Sequence, residues 1–470
     1  VQLIYPNRPL VWHPFIHRLQ AALTNESDVY LVGGTVRDAY RDYPLKDIDI
    51  CSRDSGIRLG RLIADAFNGD FYPLDQERGF GRSLVEAEGQ TWQIDIAQWV
   101  GDSLEADLYN RDFTVNAMAV DINRDLQGIY DPTGGLTDWQ HNVLRRCTES
   151  SLTNDPVRIV RAVRQSIQLD LKIEPHTLKD IRHTTPLLMQ QTSAERLRDE
   201  LFKLLDGKKP HAALNVLQML GVMNEILPAT QTLDREQWRT TLLEIEKLDT
   251  LLMVISPRRD DNVAANIAFG TFVYLLDQQR AMLQELTAKQ YANEHTLRML
   301  LTLAILLRNT LQDTTSIGEW LRDLNLSRQE IQTIQGALAH IQLPWTLFET
   351  NPTPSPEQIY DYWAISQTHG VNAIWLQLSL YLAKPAASGY TINTDEWSAL
   401  LGMCRDLFAA YQDVLAAQPP INGQVLQDEL GLEPSPLLGE LLAALRKAAY
   451  LGVVTNKDEA LAFVKQRLTP

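Results

Sequence analysis

No stretch of the 470-residue chain reaches the roughly 18 consecutive apolar positions that a membrane-spanning helix needs. The first residues carry no apolar signal segment, so the expected compartment is the cytoplasm. Cysteine is scarce. Cys51, Cys147 and Cys404 stand far apart, and no Cys/His cluster has zinc spacing. That excludes a disulfide framework and a structural zinc, and it fits a reducing compartment. Positive charge is short as well: 43 Lys and Arg against 59 Asp and Glu leave a formal net charge of −16. Such a balance argues against a general nucleic-acid coat protein. Internal repeats and low-complexity segments are absent. So is the adjacent His–Asp pair of a metal-dependent phosphohydrolase.

What is present has the composition of a globular chain, 45% hydrophobic and 22% charged. The length exceeds one ordinary core and predicts about two to four domains. Charge is unevenly spread: residues 151–210 hold 11 Lys/Arg against 8 Asp/Glu. This mild basic stretch suits docking of an RNA backbone, although a solvated helix surface explains it equally well.

The chain is organised around Leu31–Val32–Gly33–Gly34–Thr35–Val36–Arg37–Asp38 and Asp47–Ile48–Asp49–Ile50. The first reads as a strand broken by paired glycines that open a short helix. Glycines let backbone N–H groups approach a phosphate without interference from a Cβ. The second reads as a strand. Its period of two sends both isoleucines into the core and both aspartates to the other face. Two carboxylates on one strand beside such a turn suit a divalent metal and a nucleotide.

Around this platform, helical spacing marks residues 12–24 and a helix through Leu59, Leu62, Ile63 and Phe67. Residues 81–96 predict a hairpin turning at Glu88–Gly89, with Asp95 opposite in facing to Ile94 and Ile96. Arg111–Asp112–Phe113–Thr114–Val115–Asn116–Ala117 follows, then Asp131–Pro132–Thr133–Gly134–Gly135 and Asp138. Beyond residue 145 the pattern is helical, with helices over Val157–Leu169 and Ser193–Leu205. Pro344, Pro352, Pro354 and Pro356 predict a linker near 343–357. The expected fold class is α+β: a small head with a mixed β-sheet at 1–145, a helical neck at 146–210, a helical body at 211–342 and a helical tail at 343–470.

Five of these stretches, in this order over residues 31–200, resemble the motifs of the class II tRNA nucleotidyltransferases and bacterial poly(A) polymerases of the DNA polymerase β superfamily. They are Leu31–Asp38 with Asp47–Asp49, Arg111–Ala117, Asp131–Asp138 running to Arg145, Asp155–Pro–Val–Arg158, and Ser193–Glu200. The resemblance implies transfer of a nucleotide to a tRNA 3′ end from CTP or ATP, with two Mg²⁺ ions as cofactors. It implies Asp47 and Asp49 as metal ligands and Asp95 as a third catalytic carboxylate that helps activate the hydroxyl. By the same resemblance Gly33 and Gly34 are expected to contact the triphosphate, and Arg37 to pair with a phosphate or, equally well, with Asp38. Arg111 and Asp112 are expected to position ribose and base, Arg161 and Arg164 to meet triphosphate or tRNA, and basic residues of neck, body and tail to meet the tRNA. Glu195 and Arg196 brace the neck rather than bind substrate.

Asp155 and Arg158, at i and i+3, are expected on one helix face. A carboxylate accepts and a guanidinium donates, which matches the donor–acceptor edge shared by cytosine and adenine and rejects uracil and guanine. An ordinary intrahelical ion pair is worth only about 0.3–0.5 kcal/mol. The chain departs from the family pattern at Asn110, Asn154, Gln165 and Asp95, where relatives more often carry Arg, Glu, Phe and Glu. Residues 96–110 between Asp95 and Arg111 are also short, as in relatives that add only CC. The expectation is CC addition, with complete CCA addition and then poly(A) synthesis as alternatives. An antibiotic nucleotidyltransferase and a non-catalytic RNA-binding protein fit the motifs less well.

Overall fold

A computed structural model describes residues 3–45, 47–257, 267–311, 313–389 and 391–468. The chain divides into two compact units, Val1–Gly207 with Val216–Ile226, and Lys208–Asn215 with Leu227–Pro470.

The first unit is α+β. Its sheet contains β1 (Leu3–Ile4), β2 (Val29–Val32), β3 (Asp47–Ser52), β4 (Asp70–Asp75), β5 (Phe80–Ala87), β6 (Gln90–Gln98), β7 (Ala119–Asp121) and β8 (Ile129–Tyr130), in the order β1-β8-β7-β2-β3-β6-β5-β4. Among the described residues of this sheet, only β3 and β6 pair in parallel. The predicted turn at Glu88–Gly89 closes the β5–β6 hairpin with both residues at positive φ, 55° and 78°. That is the backbone twist a two-residue hairpin loop favours. Strand β4 escapes the sequence pattern because it is an edge strand, largely exposed and interrupted by Pro73.

One sheet face is apolar. Leu31, Ile48, Ile50, Ile94 and Ile96 are fully buried there, under helices α1 (Pro14–Ala22) and α3 (Gly56–Phe67). Phe15 stacks on Trp92 with ring centroids 5.1 Å apart. The other face is covered only in part. Helix α2 (Gly34–Arg41) follows β2, and α4 (Leu104–Asn110) brings Leu104 and Leu108 onto Val32, Cys51, Ala117 and Ala119. This roof ends at Asp49. Cys51 is buried, Asp49 is half-buried and Asp47 is exposed.

Beyond α5 (Gly135–Gln140) the unit continues in α6 (Ser151–Asn154), α7 (Arg158–Leu169), α8 (Pro175–Thr184), α9 (Leu188–Gln191) and α10 (Ala194–Leu205). Asp155 and Arg158 do not share a helix face as expected. Asp155 is the extended residue between α6 and α7, at φ −151° and ψ 85°, because a residue before proline is driven out of the helical region. Arg158 is the first residue of α7.

The second unit is helical. Arg235–Ile255 packs on Leu297–Thr310 and on His369–Ser388. Its core includes the buried rings of Trp363, Trp375 and Trp397. A separate apolar cluster, with Leu426, Leu441, Leu445 and Val464, builds the end of the chain. The expected linker at 343–357 is mostly helix. Leu343–Thr350 is helical with Pro344 in its first turn, and Pro356 opens the helix Pro356–Ser366. Proline at a helix start loses no hydrogen bond. Among the described residues no helix is long and apolar enough to cross a membrane.

Candidate active site

Gly33 ends β2 and caps α2 at φ 64°, ψ −133°, a region open essentially to glycine alone. A Cβ there would lie 3.0 Å from Asp49 Oδ2 and 3.6 Å from Arg111 Nη1. The turn therefore lies directly against the second aspartate. The Asp49 N–H donates to Thr35 Oγ1 at 2.8 Å, tying β3 to the first turn of α2. Asp49 sits opposite Asp95 in the β3–β6 ladder, as Asp47 sits opposite Gln93. Burial pushes the Asp49 carboxyl up to about 6. Asp95 and Asp47 add to the rise against the pull of Arg111 and Arg37. A cation held between Asp47 and Asp49 would relieve this crowding, so the donor set fits a divalent metal. Among the described residues no three His, Cys, Asp or Glu side chains converge as a metal cage.

Asp95 is engaged elsewhere. Arg82 on β5 donates Nε to Oδ1 at 2.7 Å and Nη2 to Oδ2 at 3.0 Å. Arg111 is likewise held: Nε and Nη2 donate to Asp107 Oδ2 at 3.0 and 2.9 Å. The other Asp107 oxygen accepts the Val100 N–H at 2.9 Å. This one buried carboxylate thus fixes both Arg111 and the connection leaving β6.

A polar chain runs from the glycine turn into the helices. Arg37 forks onto Asp38, with Nε to Oδ1 at 2.8 Å and Nη2 to Oδ2 at 3.0 Å, and its Nη1 donates to Asn116 Oδ1 at 2.8 Å. Asn116 Nδ2 donates to Asp112 Oδ1 and to Gln165 Oε1, both at 3.0 Å. The glutamine that departs from the family pattern is therefore a network member. Asp112 Oδ2 accepts from Arg161 Nη1 at 3.2 Å. Arg161 and Arg164 both donate to Glu200 on α10, at 2.8 and 3.1 Å. Burial works against ionisation of Asp112 and Glu200. At Asp112 Arg161, Asn116, Arg158 and the Phe113 N–H together outweigh it, and at Glu200 Arg161, Arg164 and Lys203 together do so. Both carboxyls are held below their ordinary values.

Arg158 reaches back to this centre. Its Nη1 donates to the Arg111 carbonyl at 3.1 Å and its Nη2 to the Asn110 carbonyl at 2.9 Å. Its Nε lies 3.4 Å from Asp155 Oδ2, which accepts from Arg196 Nη2 at 2.8 Å. Asp155 Oδ1 and Arg158 Nε are buried and have no hydrogen-bond partner among the described residues.

All twelve residues singled out from the sequence thus lie in the first unit. Gly33, Gly34, Asp49, Asp95 and Arg111 gather around the turn, with Asp47 at the exposed end of β3. Arg37, Asp112, Arg161 and Arg164 are linked through side chains, and Asp155 and Arg158 form a separate pair joined through the Arg111 carbonyl. The sequence reading missed Arg82, Asp107, Asn116 and Glu200 as partners of these groups. Asp107 carried a local signal, since it stands four residues before Arg111 on one helix.

Backbone donors for phosphate beside carboxylates for divalent metal are the requirements of nucleotidyl transfer. Residues 29–145 match the family model described as the Poly A polymerase head domain. Residues 170–233 match the one described as the probable RNA and SrmB-binding site of polymerase A. A CC-adding tRNA nucleotidyltransferase of Geobacter sulfurreducens is 32% identical over 451 residues, covering 94% of this chain and 93% of that protein. An A-adding tRNA nucleotidyltransferase of Deinococcus radiodurans is 29% identical, with 93% and 94% covered. A solved CCA-adding enzyme in its apo form superposes with a TM-score of 0.66 at 20% identity, covering 98% of this chain and 96% of that one, and shares the fold. The chain belongs to the class II tRNA nucleotidyltransferase family and is a nucleotidyltransferase. Enzymes of this family generally use divalent metals.

Proposed function

We propose that the protein adds CC to the 3′ end of tRNA from CTP, in the cytoplasm, without a nucleic-acid template. The observation that carries the reading is the Asp155–Arg158 ion pair, in which an acceptor atom, Oδ1, and a donor atom, Nε, are buried without a hydrogen-bond partner among the described residues. Buried polar atoms without partners call for an explanation, and the amino group and ring nitrogen of cytosine would satisfy both. Adenine has the same edge, whereas uracil and guanine present it reversed.

Asp47 and Asp49 would hold two Mg²⁺ ions, which when bound stabilise the attacking and leaving oxygens of the transfer. The N–H groups of the Gly33–Gly34 turn contact the triphosphate. Arg111, fixed by Asp107, places its charge beside the same turn. Asp95 keeps lone pairs outside its pairing with Arg82, because a carboxylate has about four acceptor positions. It orients the acceptor hydroxyl through one of them. Arg37, Asp112, Arg161 and Arg164 hold the turn, the Arg111 segment and α7 in mutual register. Basic residues of the helical neck, body and tail bind the tRNA.

The compact connection from Asp95 to Arg111 supports CC addition. The nearly full-length similarity to the Deinococcus A-adding protein favours a second reading, addition of the terminal A alone. Incubation with tRNA lacking its 3′ end and with tRNA ending in CC, each with CTP, ATP or both, separates them. CC addition without a terminal A is expected. A CCA product, addition of A alone or a long A tail would each overturn it.

A further inference from the structure

We propose that Arg82 is a positioning residue for the transfer: it holds Asp95 out of the metal-ligand set and so confines that set to Asp47 and Asp49. The inference rests on the metal assignment above and adds a residue to it.

The β5–β6 and β3–β6 ladders place Arg82, Asp95 and Asp49 in one row across three strands. Arg82 and Asp95 face one another across an antiparallel pair, where Cβ atoms are about 4.5–5.5 Å apart, and Asp95 and Asp49 across neighbouring parallel strands about 4.7–4.9 Å apart. Asp95 is therefore a direct neighbour of Asp49, and like charges in opposing positions repel. Left to itself, a carboxylate so placed would turn toward any cation bound by Asp49. Arg82 supplies a competing cation from the opposite side. Its fork engages both Asp95 oxygens, at 2.7 and 3.0 Å. Gln93 Nε2, two residues along the same strand, adds a longer contact to Oδ2 at 3.4 Å. A planar guanidinium matched to both oxygens fixes the carboxylate plane as well as its charge. Asp95 is thus oriented along the row toward Arg82, with the lone pairs outside the fork left for an acceptor hydroxyl. The arrangement separates two tasks that neighbouring carboxylates would otherwise share.

The test is binding of Mn²⁺ to the nucleotide-free full chain, followed by electron paramagnetic resonance, with Arg82→Gln, Asp95→Asn and the double variant. Freed from its partner, Asp95 joins the metal, and Arg82→Gln binds Mn²⁺ tighter by about tenfold, because affinity follows the charge count of the ligands. In the Asp95→Asn background the same substitution changes nothing. Such non-additivity is what a direct coupling produces. In steady-state assays Arg82→Gln lowers kcat and leaves the KM for CTP unchanged. Arg82→Lys keeps the charge but loses the fork, and binds Mn²⁺ between wild type and Arg82→Gln. It carries the test if the glutamine variant does not fold. Unchanged or weaker Mn²⁺ binding in both Arg82 variants would overturn the proposal, as would an effect that persists with Asp95→Asn. Failure of wild type to transfer any nucleotide would instead sink the functional reading, and the metal titration does not depend on transfer.

Discussion

Gly33 meets two demands at once. It turns the chain at positive φ, and it leaves room for Asp49 Oδ2 at 3.0 Å from where a Cβ would stand. Gly33→Ala therefore strains the turn and pushes the carboxylate aside. Transfer is expected to fall at least about 10²-fold, the scale on which a displaced transition-state contact is felt. The fold should survive, because the strain is confined to one residue, and circular dichroism checks that. Asp47→Ala removes a metal ligand outright and is expected to abolish transfer. Activity equal to wild type would refute the assigned metal site. The Asp155/Arg158 pair predicts a change in selectivity rather than in rate alone. Loss of one partner of a two-point base contact costs about 1–3 kcal/mol of discrimination, so Asp155→Ala should narrow the CTP-to-UTP ratio of kcat/KM by roughly 5–150-fold. A ratio cancels any loss of folded enzyme, which makes it the informative measurement.

At the scale of elements, Glu200 is where α10 grips α7. Removing one partner from hydrogen bonds to charged groups costs about 1.5–3 kcal/mol. Glu200→Gln is therefore expected to lower the unfolding midpoint of the first unit at neutral pH. The sign of the pH dependence follows from the direction of the shift. The Glu200 carboxyl is held below its ordinary value in the folded protein. Its contribution is thus present above the ordinary carboxylate range and is lost as pH falls through the lower folded value. The gap between wild type and Glu200→Gln should shrink on acidification, followed by denaturant melts at pH 7 and in the acid range.

Elements also differ in how far their sequence betrays them. Strand β3 and the hairpin were readable because period-two alternation is a local signal, and β2 because its β-prone run stops at paired glycines. Edge strand β4 has no buried partner to impose alternation. The Asp155–Arg158 helix face failed because Pro156 constrains the residue before it, and helical spacing takes no account of that. The partners in the site needed register, which spacing alone does not supply. Arg82 is an instructive exception. The turn at Glu88–Gly89 sets Ala87 opposite Gln90, and counting back five residues on each arm sets Arg82 opposite Asp95. Arg161 with Glu200 had no comparable route, since nothing in either segment announces that α10 lies beside α7.

For the whole molecule, the question is how a chain with net charge −16 handles tRNA, a polyanion. Most of the guanidiniums near the site are already paired with carboxylates, so long-range attraction must come from cations that remain at the surface. Lys172, Lys179, Arg182 and Lys203 are exposed and lie within the segment that matches an RNA-binding family model. A protein that neutralises few phosphates releases few counterions, and its binding loses little with salt. With about two to four phosphates neutralised, raising salt from about 50 to 200 mM should increase the KM for tRNA roughly 7–150-fold. At saturating tRNA, kcat should hold. Replacing Lys179, Arg182 and Lys203 by Gln should flatten the plot of log KM against log salt by up to about 0.7–0.9 for each phosphate no longer neutralised. Exposed side chains contribute little to stability, so the unfolding midpoint should not move. A slope unchanged in the triple variant would shift the tRNA footprint away from residues 172–203 and toward the second unit.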